Sequence, residues 1–289
     1  MDFLTDNKLP IGPWSKSFVD WLTDNVDFVF DFIATILSAS INAMLFVLQA
    51  PFLRGTALEG FYPLFMIALF SLLAWFMRRS LGVTAFTFFG LLLIYNQGYW
   101  KETMETLALV LAATGVCMVI GVPIGIACAR RPWLYAVVRP VLDLMQTIPT
   151  FVYLIPALIL FGLGMVPGLI ATVIFAIAAP IRLTRLGIIS TPPSLVEAAV
   201  AFGATPTQVL RKVELPFAMP QIMAGLTQTI MLSLSMVVIA ALVGASGLGV
   251  PVVRALNTVN IARGFEAGLC IVILAIILDR MFRIPGEET

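Results

Sequence analysis

The residues of this chain with the clearest chemical meaning are not reactive ones. Glu197-Ala198-Ala199 is followed by Gly203 and then by Val213-Glu214-Leu215-Pro216, inside a polar island at 190–220. Ser194, three residues ahead of Glu197, reads as one half of a capping box that opens a short helix, with Gly203 as the left-handed residue closing it. Thr205 then reads as the cap of a second short helix with Pro206 at its first position, ended by Leu215-Pro216. Two capped helices around a glycine corner make a stiff knob. It makes and breaks no bonds; it offers a surface that a partner in water can grip and displace. Taken alone, the capping signals fit an ordinary connector equally well.

Around this knob the usual reactive constellations are missing. There is no histidine, and Cys117, Cys128 and Cys270 lie singly in apolar runs, as small buried hydrophobes do. No acidic cluster has metal-ligand spacing, so no metal site is expected. No G-x-x-x-x-G-K-[ST] occurs, so this chain is expected to bind no cofactor and hydrolyse no ATP. No lysine lies inside an apolar run to serve a serine nucleophile as base.

The elements that carry the knob are membrane helices. Sixty per cent of the 289 residues are apolar, 11% are charged, and the mean hydropathy is +1.02. A soluble domain has roughly 45–50% apolar residues. Seven runs at 61–77, 81–98, 102–129, 134–163, 167–189, 220–243 and 264–281 approach or exceed the ~20 residues that span a bilayer. Segment 28–52 is an eighth candidate, but Asp31, Ser38, Ser40, Asn42 and Gln49 interrupt it. An amphipathic helix lying in the interface is the favoured reading there, a further crossing the alternative. The acidic stretch 1–13 lacks a basic n-region and a short apolar core, so no cleavable signal is expected.

Basic residues orient the bundle. With 190–220 in the cytoplasm, eleven of the 17 lysines and arginines fall inside, among them Arg78, Arg130, Arg182, Arg185, Arg211 and Arg283. Six remain outside: Lys8, Lys16, Arg54, Lys101, Arg254 and Arg263. The N-terminus is then outside, in keeping with six aspartates against two lysines in the first 31 residues, and the C-terminus is cytoplasmic.

Polar residues within spans are costly unless they meet protein or water. Asp143, Gln146, Thr147, Thr150 and Tyr153 fall three and four apart, on one face of a helix through 134–163, where Pro149 frees a carbonyl. Gln221, Gly225, Gln228, Thr229 and Ser233 form a similar stripe in 220–243. Two readings stand for these stripes: the lining of a solute passage, or interhelical hydrogen bonds of ~0.6 kcal/mol each. Gly121 and Gly125 are read as close packing within the chain rather than as a dimer motif. Residues 244–249 form either an external gate or a simple turn.

The whole pattern Glu-Ala-Ala-x3-Gly-x9-hydrophobic-x-Leu-Pro resembles the signature loop of bacterial ABC importer permeases. The resemblance covers about 102–282. It implies a polytopic all-α protein with the type I ABC importer transmembrane fold and a five-helix core. The domain division is then a tail and helix at 1–60, two accessory helices at 61–100, and the core at 101–283 with its coupling loop at 190–220. Glu197, Ala198, Ala199, Gly203, Leu215 and Pro216 would couple to a separate ATPase. Local sequences such as Asp143-Leu144-Met145-Gln146-Thr147-Ile148-Pro149-Thr150, Ile181-Arg182-Leu183-Thr184 and Gly244-Ala245-Ser246-Gly247-Leu248-Gly249 are similar to the glycine betaine, choline and proline-betaine branch. That resemblance implies osmoprotective import across the bacterial inner membrane, with choline and glycine betaine left unseparated. It also implies a permease homodimer or a pair with a close relative, two ATP-binding subunits carrying ATP and magnesium, and an extracytoplasmic solute-binding protein. No nucleic acid partner is expected. Phe151 and Tyr153 are candidate contacts for a quaternary ammonium, although aromatics abound in such helices.

Two other classes compete. A secondary transporter or channel working alone predicts ion-coupling carboxylates at the midplane and related halves. Asp143 and Asp279 instead read as lying near cytoplasmic ends, and no repeat is visible. A structural scaffold leaves the knob unexplained.

Overall fold

The computed structural model describes residues 10–49 and 61–283, and no strand occurs among them. The start of the acidic tail, the end of segment 28–52, Arg54 and the last six residues lie outside the described residues. The helices are α1 (Ile11–Gln49), α2 (Tyr62–Arg78), α3 (Leu81–Asn96), α4 (Trp100–Arg130), α5 (Pro132–Thr147), α6 (Thr150–Phe161), α7 (Met165–Ala176) and α8 (Ala178–Ile189). Then come α9 (Pro193–Ala201), α10 (Pro206–Val209), a π-helical turn Leu210–Glu214, α11 (Leu215–Ala241), α12 (Gly249–Asn257) and α13 (Ile261–Phe282). Five helices are long and apolar enough to cross a membrane, six if the bent pair α5–α6 counts as one. At 17 and 16 residues, α2 and α3 are shorter.

Helices α4, α8 and α11 form the centre. Their close approach depends on small residues. A Cβ on Gly125 would stand 2.7 Å from the Thr184 Cβ, and one on Gly121 2.8 Å from the Pro180 ring. Gly187 meets Ala218 and Gln221 in the same way on α11. The Gly121/Gly125 pair thus packs α4 on α8 inside one chain, as expected. Helices α2, α3 and α13 cover one side of α4 through Ile67, Ile94, Met104, Leu274 and Ile277.

Residues 28–49 of segment 28–52 belong to the 39-residue α1. Leu37 and Ile41 pack with Leu109, Ala113 and Leu169, and the Tyr62 hydroxyl donates to the Leu48 carbonyl. Nearer its start, Trp14, Phe18, Trp21, Phe28 and Phe32 line one exposed face. By length and apolarity α1 qualifies as a span; the exposed aromatic line also suits an interfacial helix.

Two expected boundaries differ. The run 134–163 is not one helix: α5 and α6 meet at 94°. Pro149 has no N–H and disfavours helical backbone at Ile148, which is extended (φ −65°, ψ 130°). Conversely, Leu215-Pro216 does not break the chain. The π-helical turn, in which the Leu215 N–H donates to the Leu210 carbonyl, leads straight into α11. Pro216 then falls in the first turn of α11, where an absent N–H costs nothing.

Candidate functional site: an exposed knob, an ion pair and a clasp

The knob forms as two short helices, with one change at its start. Helix α9 begins at Pro193, because a proline with fixed φ and no N–H suits the first helical position. Ser194 is therefore inside the first turn, and the expected Ser194–Glu197 capping box is absent. At the far end Gly203 has φ +80° and donates to the Val200 carbonyl at 2.9 Å. No neighbour lies within 4 Å of a Cβ there, so the dihedral alone asks for glycine. Thr205 and Gln208 form the capping box instead: the Gln208 N–H donates to the Thr205 hydroxyl, and the Thr205 N–H to the Gln208 Oε1 at 2.8 Å.

Glu197 and Ala198 are exposed on α9, Ala199 is half-buried, and Phe202 is 94% exposed. Ala199, Phe202, Gly203, Gln208 and Lys212 border a cleft of about 400 Å³ between α9 and the π-helical turn. An aromatic side chain held outward beside a cleft, on a polar island, is a surface shaped for a protein partner. Leu215 and Pro216 carry the knob into α11. A latch unforeseen from the sequence ties it to α4: Arg130 reaches Glu214 Oε2 at 2.6 Å and the Pro206 carbonyl at 3.3 Å. Glu214 lay inside the motif, but its partner is 84 positions away. Arg130 had figured only in the charge balance.

The bend at Pro149 divides the first polar stripe. Asp143, Gln146 and Thr147 remain on α5, while Thr150 and Tyr153 belong to α6. On α5, Asp143 Oδ1 meets the Arg182 guanidinium of α8 at 2.6 Å, and Gln146 Oε1 accepts from the same guanidinium at 3.0 Å. Thr147 donates to its own helix, at the Asp143 carbonyl. The neighbouring Arg185 stacks on the Tyr135 ring at 3.6 Å, a second strut between α8 and α5. Arg182, the partner of Asp143, lies between Pro180 and Thr184, which pack on Gly121 and Gly125 of α4, so Asp143 sits on the knob side of the bundle's midpoint.

The second stripe also separates. Gln228 is exposed beside Asp279 and Arg283, whereas Thr229 and Ser233 are 0% and 1% exposed. Thr229 donates to the Gly225 carbonyl of its own helix. A stripe with successive spacings of four, three, one and four spans more than one helix face, and α8 covers the Gly225 side of it. Among the described residues no group of His, Cys, Asp or Glu comes together to hold a metal.

At the end of the bundle opposite the knob, residues 244–249 form a packed clasp. The Leu248 N–H donates to Thr106 Oγ1 at 2.8 Å, and the Gly164 N–H to the Val243 carbonyl at 2.9 Å. Gly247 has φ +128°, and a Cβ on it would lie 2.6 Å from Thr106 Oγ1. Beside the clasp opens a cleft of about 470 Å³ bordered by Lys101, Glu102, Glu105, Ser246, Arg254 and Arg263. The basic residues thus fall at two ends: Arg78, bonded to the Arg283 carbonyl, and Arg130 at the knob end; Lys101, Arg254 and Arg263 at the other.

Residues 121–285 match the family model of the binding-protein-dependent transport system inner membrane component. The glycine betaine transport system permease protein OpuAB of Bacillus subtilis (strain 168) is 46% identical over 95% of this chain and 93% of its own length. The glycine betaine/proline betaine permease ProW of Escherichia coli (strain K12) is 42% identical over 97% of this chain and 76% of its own. Among solved structures, a chain of the inward-facing MetNI methionine ABC transporter aligns with a TM-score of 0.55 and 26% identity. That alignment covers 60% of this chain and 88% of the other. The chain belongs to the binding-protein-dependent transport system inner membrane component family. Its fold is that of a type I ABC importer permease.

Proposed function

We propose that this chain is the permease subunit of an ATP-driven importer that carries glycine betaine and related quaternary ammonium solutes inward by alternating access. Two copies enclose the passage, since one chain presents too few helices around α5, α8 and α11 to surround a solute. Two ATP-binding subunits, which hold ATP and magnesium, grip the knobs through Glu197, Ala198, Ala199 and Phe202. A loaded solute-binding protein docks at the outer clasp. The knob faces the cytoplasm and the clasp faces outward, which leaves the C-terminus inside.

The observation that carries this reading is the knob with its latch. An exposed aromatic on a rigid helix, joined to α4 through Arg130 and Glu214, has the means to convert a push from water into a helix displacement. Near-full-length likeness to permeases named for glycine betaine supports the solute class. Choline is a weaker candidate, since a choline-naming relative is 37% identical over 49% of this chain.

The test is reconstitution in proteoliposomes with the cognate ATPase and binding protein, supplied with radiolabelled glycine betaine, proline betaine or choline. Glycine betaine should accumulate only when ATP, magnesium and the binding protein are all present. Transport by the purified chain alone, driven by an ion gradient, would establish the competing class of secondary transporter.

A further inference from the structure

Arg182, Asp143 and Gln146 stand together where a charged cluster is hardest to explain as surface decoration. Arg182 is seven residues, about 10 Å, from the Ile189 end of α8, and its neighbours Pro180 and Thr184 pack on Gly121 and Gly125 of α4, so the cluster lies within a candidate span on its knob side. Yet the Asp143 side chain is 52% exposed in the single chain and that of Arg182 36%. A half-exposed ion pair within a span is costly against hydrocarbon, so this one is expected to meet water or the second permease copy. In the reading proposed above, two copies enclose the passage.

From this geometry we infer that Arg182, with Asp143 and Gln146, forms a transient subsite in the passage for a zwitterion: Arg182 for the anionic end, Asp143 for the cationic end. The inference deepens the transport reading above and rests on it. Arg182 commits one terminal nitrogen to Asp143 Oδ1 at 2.6 Å and the other to Gln146 Oε1 at 3.0 Å. A carboxylate entering from the passage competes for that fork with the geometry for which guanidinium is best suited. Asp143, released from Arg182, keeps Arg139 beside its Oδ2 at 3.9 Å and offers Oδ1 to a quaternary nitrogen, which has no N–H to donate and is held by charge alone. Asp143 does not act unaided. The break at Ile148-Pro149 ends α5 about one turn beyond Asp143, so the partial negative charge of that helix C-terminus adds to the carboxylate.

When no solute is present the same three side chains close on one another and, with Arg185 on Tyr135, hold α5 to α8. Apart from Leu142 no residue of α5 is buried, so these polar struts are much of what fixes the helix. Solute entry and loosening of α5 are then one event. A bare cation such as choline lacks the group that opens the pair.

The experiment uses the complete transporter in proteoliposomes, in which unaltered protein first shows ATP-dependent glycine betaine uptake; absence of that uptake refutes the transport reading itself. Arg182→Gln should reduce uptake at least tenfold while ATP hydrolysis persists. The paired exchange Asp143→Arg with Arg182→Asp restores a strut but reverses its polarity, and uptake should stay tenfold low. Recovery to within twofold of the unaltered protein would make the pair a structural clamp and overturn the subsite. Independently, Gln146→Cys should react with a membrane-impermeant maleimide in the assembled transporter, since Cys117, Cys128 and Cys270 are buried and give little background. Saturating glycine betaine should slow that reaction severalfold. A thiol that never reacts, or reacts equally fast with and without glycine betaine, overturns the subsite even if the paired exchange fails to assemble.

Discussion

The Arg130 guanidinium lies 2.6 Å from the Glu214 carboxylate, which fastens the inner end of α4 to the turn leading out of the knob. The carboxylate side is well covered, at 13% exposure, and the arginine partly so. A partly exposed pair of this kind contributes on the order of 1 kcal/mol to stability after solvent screening. Its larger consequence is mechanical, because α4 and the knob cannot move separately while it holds. Glu214→Gln and Arg130→Ala should therefore fold and insert, and should lower solute moved per ATP by about fivefold, the equivalent of that ~1 kcal/mol. The measurement is the uptake-to-hydrolysis ratio in proteoliposomes. An unchanged ratio in both variants would reduce the pair to a surface contact.

Gly203 has a different vulnerability. Its φ of +80° and its N–H bond to the Val200 carbonyl are both lost to proline, whose φ is fixed near −65°. Gly203→Pro should leave membrane insertion intact and abolish uptake, since α9 would be re-aimed. Glu197→Lys, on the exposed face, should do the same by reversing charge without disturbing the fold. Gly203→Ala, with open space around its Cβ, should cost only ~1 kcal/mol of local strain and keep partial uptake. Co-purification of the ATPase subunit with each variant separates lost docking from lost transmission.

Much of this architecture was legible along the chain, and the exceptions share a cause. The knob announces itself because its caps, Gly203 and Thr205, act on neighbours within four residues. Hydropathy finds the long helices because burial in a membrane leaves a local compositional trace. Pro149 was visible too, but one proline can kink a helix or end it. The 94° outcome depends on how α6 packs against Ala171 and Met236. The stripe on α11 divides for a related reason: which of Gln228, Thr229 and Ser233 is covered depends on neighbouring helices, not on spacing. The Arg130–Glu214 and Arg182–Asp143 pairs join residues 84 and 39 positions apart, and no local pattern foretells them.

The α4–α8 contact gives a control within one helix. Gly125→Leu would force a side chain into Thr184 and the Ile181 carbonyl, and should destabilise the protein by several kcal/mol, as overpacking of a close helix pair does. Gly115 is also on α4, yet nothing lies within 4 Å of its Cβ, so Gly115→Ala should be neutral or slightly stabilising. Thermal unfolding in detergent, followed by tryptophan fluorescence, distinguishes the two. Equal midpoints would refute the packing role.

At the other end, Thr106→Val removes the acceptor of the buried Leu248 N–H while keeping the side-chain shape. Leaving that donor unpaired costs about 1–3 kcal/mol. The clasp should loosen, so ATP hydrolysis should lose part of its dependence on the binding protein. Gly247→Ala, which collides with Thr106, should show the same phenotype more strongly. Hydrolysis that stays fully dependent on the binding protein in both variants would count against a gating role.

The π-helical turn keeps Pro206–Ala241 a single 36-residue rod from the knob to the residues just before the clasp. A continuous helix joins the two ends, and equilibrium linkage requires the effects passed in each direction to match. In the importer proposed above, whatever factor nucleotide exerts on receptor affinity, the receptor must return to nucleotide affinity.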